Sequence, residues 1–543
     1  MHMTRAQKYR LLRQAEAGEL ERLAERAADC AWRQTYHIQP HAGLLNDPNG
    51  FAYYNGQYHL FYQWFPLGTE HGMKYWYHVV SSDLARWTDA GIGLEPGGLY
   101  DSHGAYSGSA IEKDGRLYLM YTGNTRDADW VRRPYQCLAV MDEDGTIAKT
   151  ELPVIADVPA GYTDHFRDPK VWREGDAYLC VIGAQRSDLT GAAVLYRSPD
   201  LLDWNFAGEI RTSLPNFGYM WECPDYFELD GTGVLLLCPQ GVERDGERFR
   251  NIYQSGYLLG EPLNTADGTF RHGAFAELDR GFDFYAPQTT AGPDGQRLLV
   301  GWMGLPDLDY PTDDLGWAHC LTLPRELSLR GGRLIQRPAA GLRLLRGEER
   351  SFSAAWADGR RSFDGIEGRS YELQVRIAPA AQRSDLADGG AEDGESSANR
   401  STDRELPGIG DGRFGVEFRT GAEERTVLTY DAGSGTVTLD RSRSGVPLGI
   451  DYEATRSWTL DAAVGRQDVE FRLFVDTSSV EIFVNDGEEV FTARLFPDSA
   501  STGIAFFADG GGAAFEGSYW PYGEGAIPRG LPAGLADYGQ VRP

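Results

Sequence analysis

The chain has 543 residues, 41% of them hydrophobic and 12% aromatic, with 66 glycines; this excludes disordered and collagenous chains and allows two large cores. The formal net charge of −28 excludes nucleic acid or an anionic membrane surface as a charge-driven partner. No stretch approaches the ~20 apolar residues of a membrane span, no apolar signal core precedes a cleavage site, and the six cysteines show no C-x-x-C spacing, so a cytoplasmic protein with reduced thiols is expected, without metal or cofactor.

Taken in chain order, residues 1–32, with Leu11, Leu12, Leu20 and Leu23 among Glu, Ala and Arg, predict an amphipathic helical extension. Residues 33–336 predict a repeated β-unit. Phe51 to Tyr54, the turn Asn55-Gly56 and the run Tyr58 to Tyr62 read as a tight hairpin. Equivalent turns fall at Gly115, Gly175, Gly231 and Gly295, spaced by 59, 60, 56 and 64 residues. Ser82-Asp83-Leu84 in the first unit is echoed by Ser198-Pro199-Asp200-Leu201 in the third. Five β-units at a long, nearly fixed period predict a five-bladed β-propeller.

A linker over 337–349 leads to a second region, 350–520, where alternating runs such as Tyr371 to Ile377, Val469 to Val475 and Val480 to Val484 predict a C-terminal β-sandwich. The fold class is therefore all-β. Residues 380–411, rich in Gly, Ser, Asp and Glu, are expected to be a disordered insertion. Residues 521–543 read as an irregular tail.

The chemistry is expected just before each repeated turn. These segments are Asn46-Asp47-Pro48, Tyr106-Ser107-Gly108, Arg167-Asp168-Pro169, Glu222-Cys223-Pro224 and Tyr285-Ala286-Pro287. Asp before Pro is common in turns, so each is weak alone. At matching places in a radial repeat they must converge, and three of them bring carboxylates. Paired carboxylates suit glycoside hydrolysis, and Tyr54, Trp64, Tyr75, Trp76, Tyr106 and Trp221 offer faces for sugar rings, about half of them expected to be core instead.

These segments, together with Phe61-Tyr62-Gln63, Phe282-Asp283-Phe284 and the later Phe474 to Phe483 run, resemble the motif series of glycoside hydrolase family 32, which includes invertases, sucrose-6-phosphate hydrolases, inulinases and levanases. The resemblance implies a retaining β-fructofuranosidase acting on sucrose or sucrose 6-phosphate through a covalent fructosyl-enzyme. It implies Asp47 as nucleophile, Glu222 as general acid/base and Asp168 as transition-state stabiliser. Asn46, Gln63, Tyr106, Ser107, Arg167 and Asp283 are expected to bind the fructosyl unit, with His71, Lys74 and Trp76 as further candidates. His-Gly-x-Lys-x-Trp-x-His over 71–78 resembles the sucrose-6-phosphate hydrolase branch, and His71, Lys74, Arg126, Arg132 and Arg133 are candidates for a basic rim that meets a phosphate. Where many members carry Trp-Met before Asn-Asp-Pro, this chain has Leu44-Leu45, so one aromatic wall of the fructose pocket is expected to be missing or supplied from elsewhere. The sandwich is expected to be a supporting module, with a homodimer as the expected assembly. The alternatives are a fructosyltransferase or fructan-degrading hydrolase, a non-catalytic sugar-binding propeller and, more distantly, an arabinan-cleaving propeller with an inverting pair.

Overall fold

Five small sheets follow one another along the chain, each begun by an inner strand: Gly43–Tyr54, Ala105–Lys113, Tyr162–Glu174, Met220–Leu229 and Tyr285–Ala291. In this computed structural model each inner strand packs on the next, and the fifth returns to pack on the first, so the five sheets close a ring. That closure defines a five-bladed propeller. The structure describes residues 2–379, 412–449, 452–461, 468–523 and 531–536. The expected insertion at 380–411 lies outside them, as does most of the expected tail. The chain divides into two compact units, Met1–Leu345 with Gly487–Arg494 and Gly523–Pro543, and Arg346–Asp486 with Leu495–Tyr522.

The hairpins follow from turn chemistry. Asn55 and Gly56 both take left-handed backbone (φ 48° and 77°), as do Asp114 and Gly115 (52° and 75°) and Asp230 and Gly231 (48° and 76°), the conformations that match the twist of paired strands. The first blade gains the short strand Trp317–Ala318 from far along the chain, pairing in parallel with Gly43 and Leu44. The Ser-Asp repeat is also a structural repeat, with one shift in register. Leu84 N–H donates to Ser81 Oγ and Leu201 N–H to Ser198 Oγ, both at 2.9 Å, so Ser81 rather than Ser82 matches Ser198.

Core clusters fill the gaps between successive blades, among them Phe61, Trp76, Leu119 and Tyr121 between the first and second, and Leu179, Leu195, Leu235 and Leu258 between the third and fourth. Each such buried side chain is worth roughly 1.5–3 kcal/mol. At the axis the blades are tied by side chains: Gln288 accepts from Phe51 N–H at 2.8 Å and donates to Gly108 O at 2.7 Å, and Asp225 accepts from Thr289 N–H at 2.8 Å.

The first residues differ from a single amphipathic helix. They form Arg5–Lys8, a 3-10 turn at Leu12–Gln14 and Glu19–Ala28, because Leu11 and Ala15 are extended and Gly18 is left-handed (φ 72°). Leu12 N–H donates to Tyr75 Oη at 2.7 Å and Met73 N–H to Lys8 O at 2.7 Å, which fastens the extension to the first blade. Among the described residues no helix is long and apolar enough to cross a membrane. All six cysteines are free thiols, and all but Cys223 are buried.

The second unit is a β-sandwich. One sheet orders Arg350–Trp356, Ala513–Pro521, Tyr371–Pro379, Val469–Asp476 and Ser479–Val484 side by side; the other orders Gly359–Arg361, Gly503–Asp509, Arg413–Thr420, Arg425–Asp431, Thr436–Arg443 and Thr455–Thr459. Alternate residues such as Leu373, Val375 and Ile377, and Phe414, Val416 and Phe418, are fully buried, as two sheets sharing one core require.

Candidate active site

All five inner strands break register at the same place. Pairing is interrupted between Leu45 and Pro48, Ala105 and Gly108, Arg167 and Lys170, Glu222 and Asp225, and Tyr285 and Gln288. A bulge bends its strand and re-aims the side chains beside it. Asp168, Cys223 and Ala286 take positive φ (68°, 46° and 47°), a costly conformation for non-glycine residues that clusters at functional sites. The five motifs are thus one backbone device repeated around the axis.

The device lines a cavity of about 230 Å³ with Asp47, Asp168 and Glu222 together, alongside Asn46, Gln63, Tyr106, Ser107 and Arg167. A larger cavity of about 790 Å³ opens on the outer strand Thr88–Leu94 of the first blade, walled by Ala90, Gly91, Ile92 and Gly93 and containing none of the three carboxylates.

Asp47 is held at both oxygens. Asn46 Nδ2 donates to Oδ1 at 3.0 Å, and the Ser107 hydroxyl donates to Oδ2 in a very short bond. Gln63 locks the pair by accepting from Asn46 Nδ2 and donating to Ser107 Oγ, each at 2.6 Å. Lys74 lies beneath, nearly inaccessible, with Nζ donating to Asn46 Oδ1 at 2.7 Å and 3.1 Å from His71 Nδ1. Burial pushes the Lys74 pKa down to about 7 and holds His71 well below the usual range, so His71 is neutral and accepts from the ammonium.

Glu222 is gripped from three sides. Arg167 donates through Nε at 3.0 Å and through Nη2 to Oε1, while Tyr285 Oη donates at 2.6 Å and Gln240 Nε2 at 2.8 Å to Oε2. Burial works against the Arg167 charge, yet Glu222 and Asp168 outweigh it and raise its pKa. The arginine serves Glu222 first; its nearest approach to Asp168 is 4.0 Å. Asp168 Oδ2 accepts from Cys223 N–H at 3.0 Å, and the Cys223 thiol lies between the other two carboxylates, 3.8 Å from Asp47 Oδ2 and 3.7 Å from Asp168 Oδ2. Burial raises the Asp168 pKa to about 7 against the pull of Arg167, with Glu222 and Asp47 adding to the rise. Burial also raises the Asp47 pKa, opposed by the Ser107 and Asn46 hydrogen bonds.

Of the other residues marked in the sequence, His71 and Lys74 line the cavity. Trp76 is fully buried behind it, donating to Tyr106 O at 3.1 Å. Asp283 is likewise fully buried and outside the lining; Tyr310 Oη donates to it at 2.6 Å and Arg494 N–H at 2.8 Å. Among the six candidate sugar-facing aromatics only Tyr106 lines the cavity. Leu44 and Leu45 are buried away from it, and the aromatic walls come from Tyr9, Tyr285 and Trp302. Sequence reasoning missed Tyr9 and Gln240. Gln240 could have been found as the end of the strand paired to the Glu222 motif; Tyr9 had no signal in the repeat.

A propeller with three carboxylates on equivalent bulges defines a class of sugar-cleaving enzymes, and the comparisons make it specific. Residues 37–338 match the model of the glycosyl hydrolases family 32 N-terminal domain and residues 342–521 that of its C-terminal domain. The chain belongs to glycosyl hydrolases family 32 and is a glycoside hydrolase. It is 45% identical over 509 residues to the sucrose-6-phosphate hydrolase of Staphylococcus xylosus, covering 94% of this chain and 96% of that protein. It is 42% identical over 494 residues to the sucrose-6-phosphate hydrolase of Bacillus subtilis (strain 168), covering 90% and 93%. The structure of sucrose-6-phosphate hydrolase from Lactobacillus gasseri superposes with a TM-score of 0.84 at 35% identity, covering 96% of this chain and all of that one. The Bombyx mori GH32 beta-fructofuranosidase gives 0.76 at 32%, covering 94% and 98%.

Proposed function

We propose that this protein is a retaining β-fructofuranosidase that hydrolyses sucrose and sucrose 6-phosphate, with Asp47 as nucleophile, Glu222 as acid/base and Asp168 as transition-state stabiliser. The observation that carries the assignment is the convergence of these three carboxylates in one small cavity, each with its own fixed partners. Asp47, clamped by Asn46 and Ser107, attacks the fructosyl C2 as the C2–O bond to glucose breaks and Glu222 protonates the departing oxygen. Water, deprotonated by Glu222, then attacks C2 and releases Asp47, so the configuration is retained. Asp168 grips ring hydroxyls more tightly as positive charge develops at C2. Asn46, Gln63, Tyr106 and Ser107 bind the fructosyl unit, and Arg167 and Tyr285 hold Glu222 in line.

The cavity lining comes entirely from the first unit, which supports a supporting role for the sandwich. Six free thiols favour a reducing compartment and hence the cytoplasm. A homodimer belongs to the same proposal and is read by sedimentation velocity. The enzymatic test is NMR of the first-formed fructose: β-fructose released by wild type, and at least a thousandfold loss in Asp47→Asn, support the reading. Initially α-fructose, or no cleavage by folded protein, would sink it. Fructose oligomers as the main product at high sucrose would favour the transferase.

A further inference from the structure

The second blade brings Arg132 to the cavity and Arg126 beside it, and the reaction above uses neither. Its strands Arg116–Arg126 and Arg132–Met141 end at Arg126 and Arg132, joined by a loop over 127–131. The N-terminal extension lies against that loop: the Arg5 guanidinium stacks on Trp130 at 4.1 Å, and the Tyr9 ring packs 5.4 Å from Trp130 and 5.2 Å from His103. Arg126 lies beside the Tyr9 phenol, favouring its ionised form, and donates through Nη1 to Trp130 O at 3.3 Å. Tyr9 and Arg132 both line the cavity.

Neither Arg126 nor Arg132 has a carboxylate within ion-pair distance among the described residues, and the Nε of each is buried with no acceptor. The neighbouring Arg133 shows the contrast, as it is exposed and paired with Asp127 at 3.3 Å. Carboxylates are not scarce, since the chain has 80 acidic residues against 52 basic ones. Burial and the nearby Arg167 and Arg126 all work against the charge of Arg132, with Tyr106 and Asp164 only partly offsetting them. Two crowded guanidiniums with spare donors have the chemistry that pairs with a doubly charged oxyanion such as a phosphate monoester.

The side of the cavity is also defined. His165 Nδ1 faces Arg132 Nη1 at 3.4 Å and Arg167 Nη1 at 3.2 Å, and burial with these two arginines pushes its pKa down to about 4, so a neutral imidazole joins them. Arg167 in turn holds Glu222, the proposed donor to the departing oxygen. Lys74 is committed to Asn46 beside Asp47. The arginine pair therefore lies toward the departing sugar, and Lys74 toward the fructosyl unit.

We propose that Arg126 and Arg132, with the Tyr9 hydroxyl from the N-terminal extension, bind a phosphate monoester on the departing sugar and give the enzyme its preference for a 6-phosphorylated substrate. This rests on the fructosidase reading above and replaces the wider rim of the sequence expectation, removing His71, Lys74 and Arg133. The test is kcat/KM on sucrose and on sucrose 6-phosphate for wild type, Arg126→Gln, Arg132→Gln, the double variant and Tyr9→Phe, with inhibition by glucose 6-phosphate measured beside glucose. Wild type should prefer the phosphorylated sugar and bind glucose 6-phosphate more tightly than glucose. The double variant should lose at least about twentyfold more efficiency on sucrose 6-phosphate than on sucrose, and Arg132→Lys should recover part of it. Tyr9→Phe should lose severalfold in the same direction. Equal loss on both sugars would overturn the proposal by showing a structural role. A wild type that treats the two sugars, and the two products, alike would overturn it while leaving the fructosidase reading intact; this comparison needs no variant to fold. Failure of wild type to cleave either sugar would sink both.

Discussion

Asp168 offers a test in which stability and activity move in opposite directions. Its carboxyl is almost inaccessible, and burial raises its pKa from 3.8 to about 7. A carboxyl raised in this way contributes stability that is fully present below the unfolded pKa and is lost as pH climbs through the folded one, here between about pH 4 and 7. A shift of about 3 units at 1.36 kcal/mol each sets a ceiling of about 4 kcal/mol. Sharing of the charge with Asp47, Glu222 and Arg167 reduces the realised effect to about 2 kcal/mol. Asp168→Asn keeps the oxygen that accepts the Cys223 N–H and removes the ionisation. The expected result is a variant more stable than wild type at pH 8 by about 2–5 °C in Tm, with the gain largely gone at pH 4.5. Its kcat should fall by about 10²–10⁴, because the missing charge is the one that steadies the oxocarbenium-like state. Differential scanning calorimetry at the two pH values with matched sucrose assays reads both effects. A Tm difference independent of pH, or larger at pH 4.5, would refute the argument that burial strains this carboxylate.

Two further outcomes follow from the hydrogen bonds around the other carboxylates. Tyr285→Phe removes one of the donors to Glu222 Oε2 and should lower kcat on sucrose about tenfold while Tm stays within about 2 °C; unaltered kcat would mean the hydroxyl is not positioning the acid/base. Lys74→Met removes a cation that lowers the Asp47 pKa, so the acidic limb of the kcat/KM profile on sucrose should move to higher pH, with Lys74→Arg moving it less; a limb that stays in place argues that Lys74 only fills space.

Much of this architecture is local and so was legible in the chain. Tight hairpin turns such as Asn55-Gly56 impose left-handed backbone wherever they occur, and their recurrence at a long period made five blades countable before any contact was known. The same periodicity put the three carboxylate motifs in equivalent places, with Glu222 one residue earlier in its motif than Asp47 and Asp168, level with Asn46 and Arg167, since equal steps around a ring give equal radii. The sandwich showed in strands that alternate apolar and polar side chains.

Tertiary structure decided which neighbour each side chain meets. Arg167 follows Glu222 across the blade gap, although Asp168 is its neighbour in sequence, because the bulge turns Asp168 through positive φ. Asp283, beside a recurring motif, is drawn off the cavity by Tyr310 and the Arg494 backbone. Lys74, expected at a solvated rim, is buried under Asn46. Tyr9 reaches the cavity only because a broken helical extension docks on the first two blades, and no period within the propeller points to it. Backbone turns depend on residues adjacent in sequence, whereas hydrogen-bond partners, burial and the pKa shifts that follow depend on groups brought together across the ring, 63 residues apart for Glu222 and Tyr285 and 237 for Phe51 and Gln288.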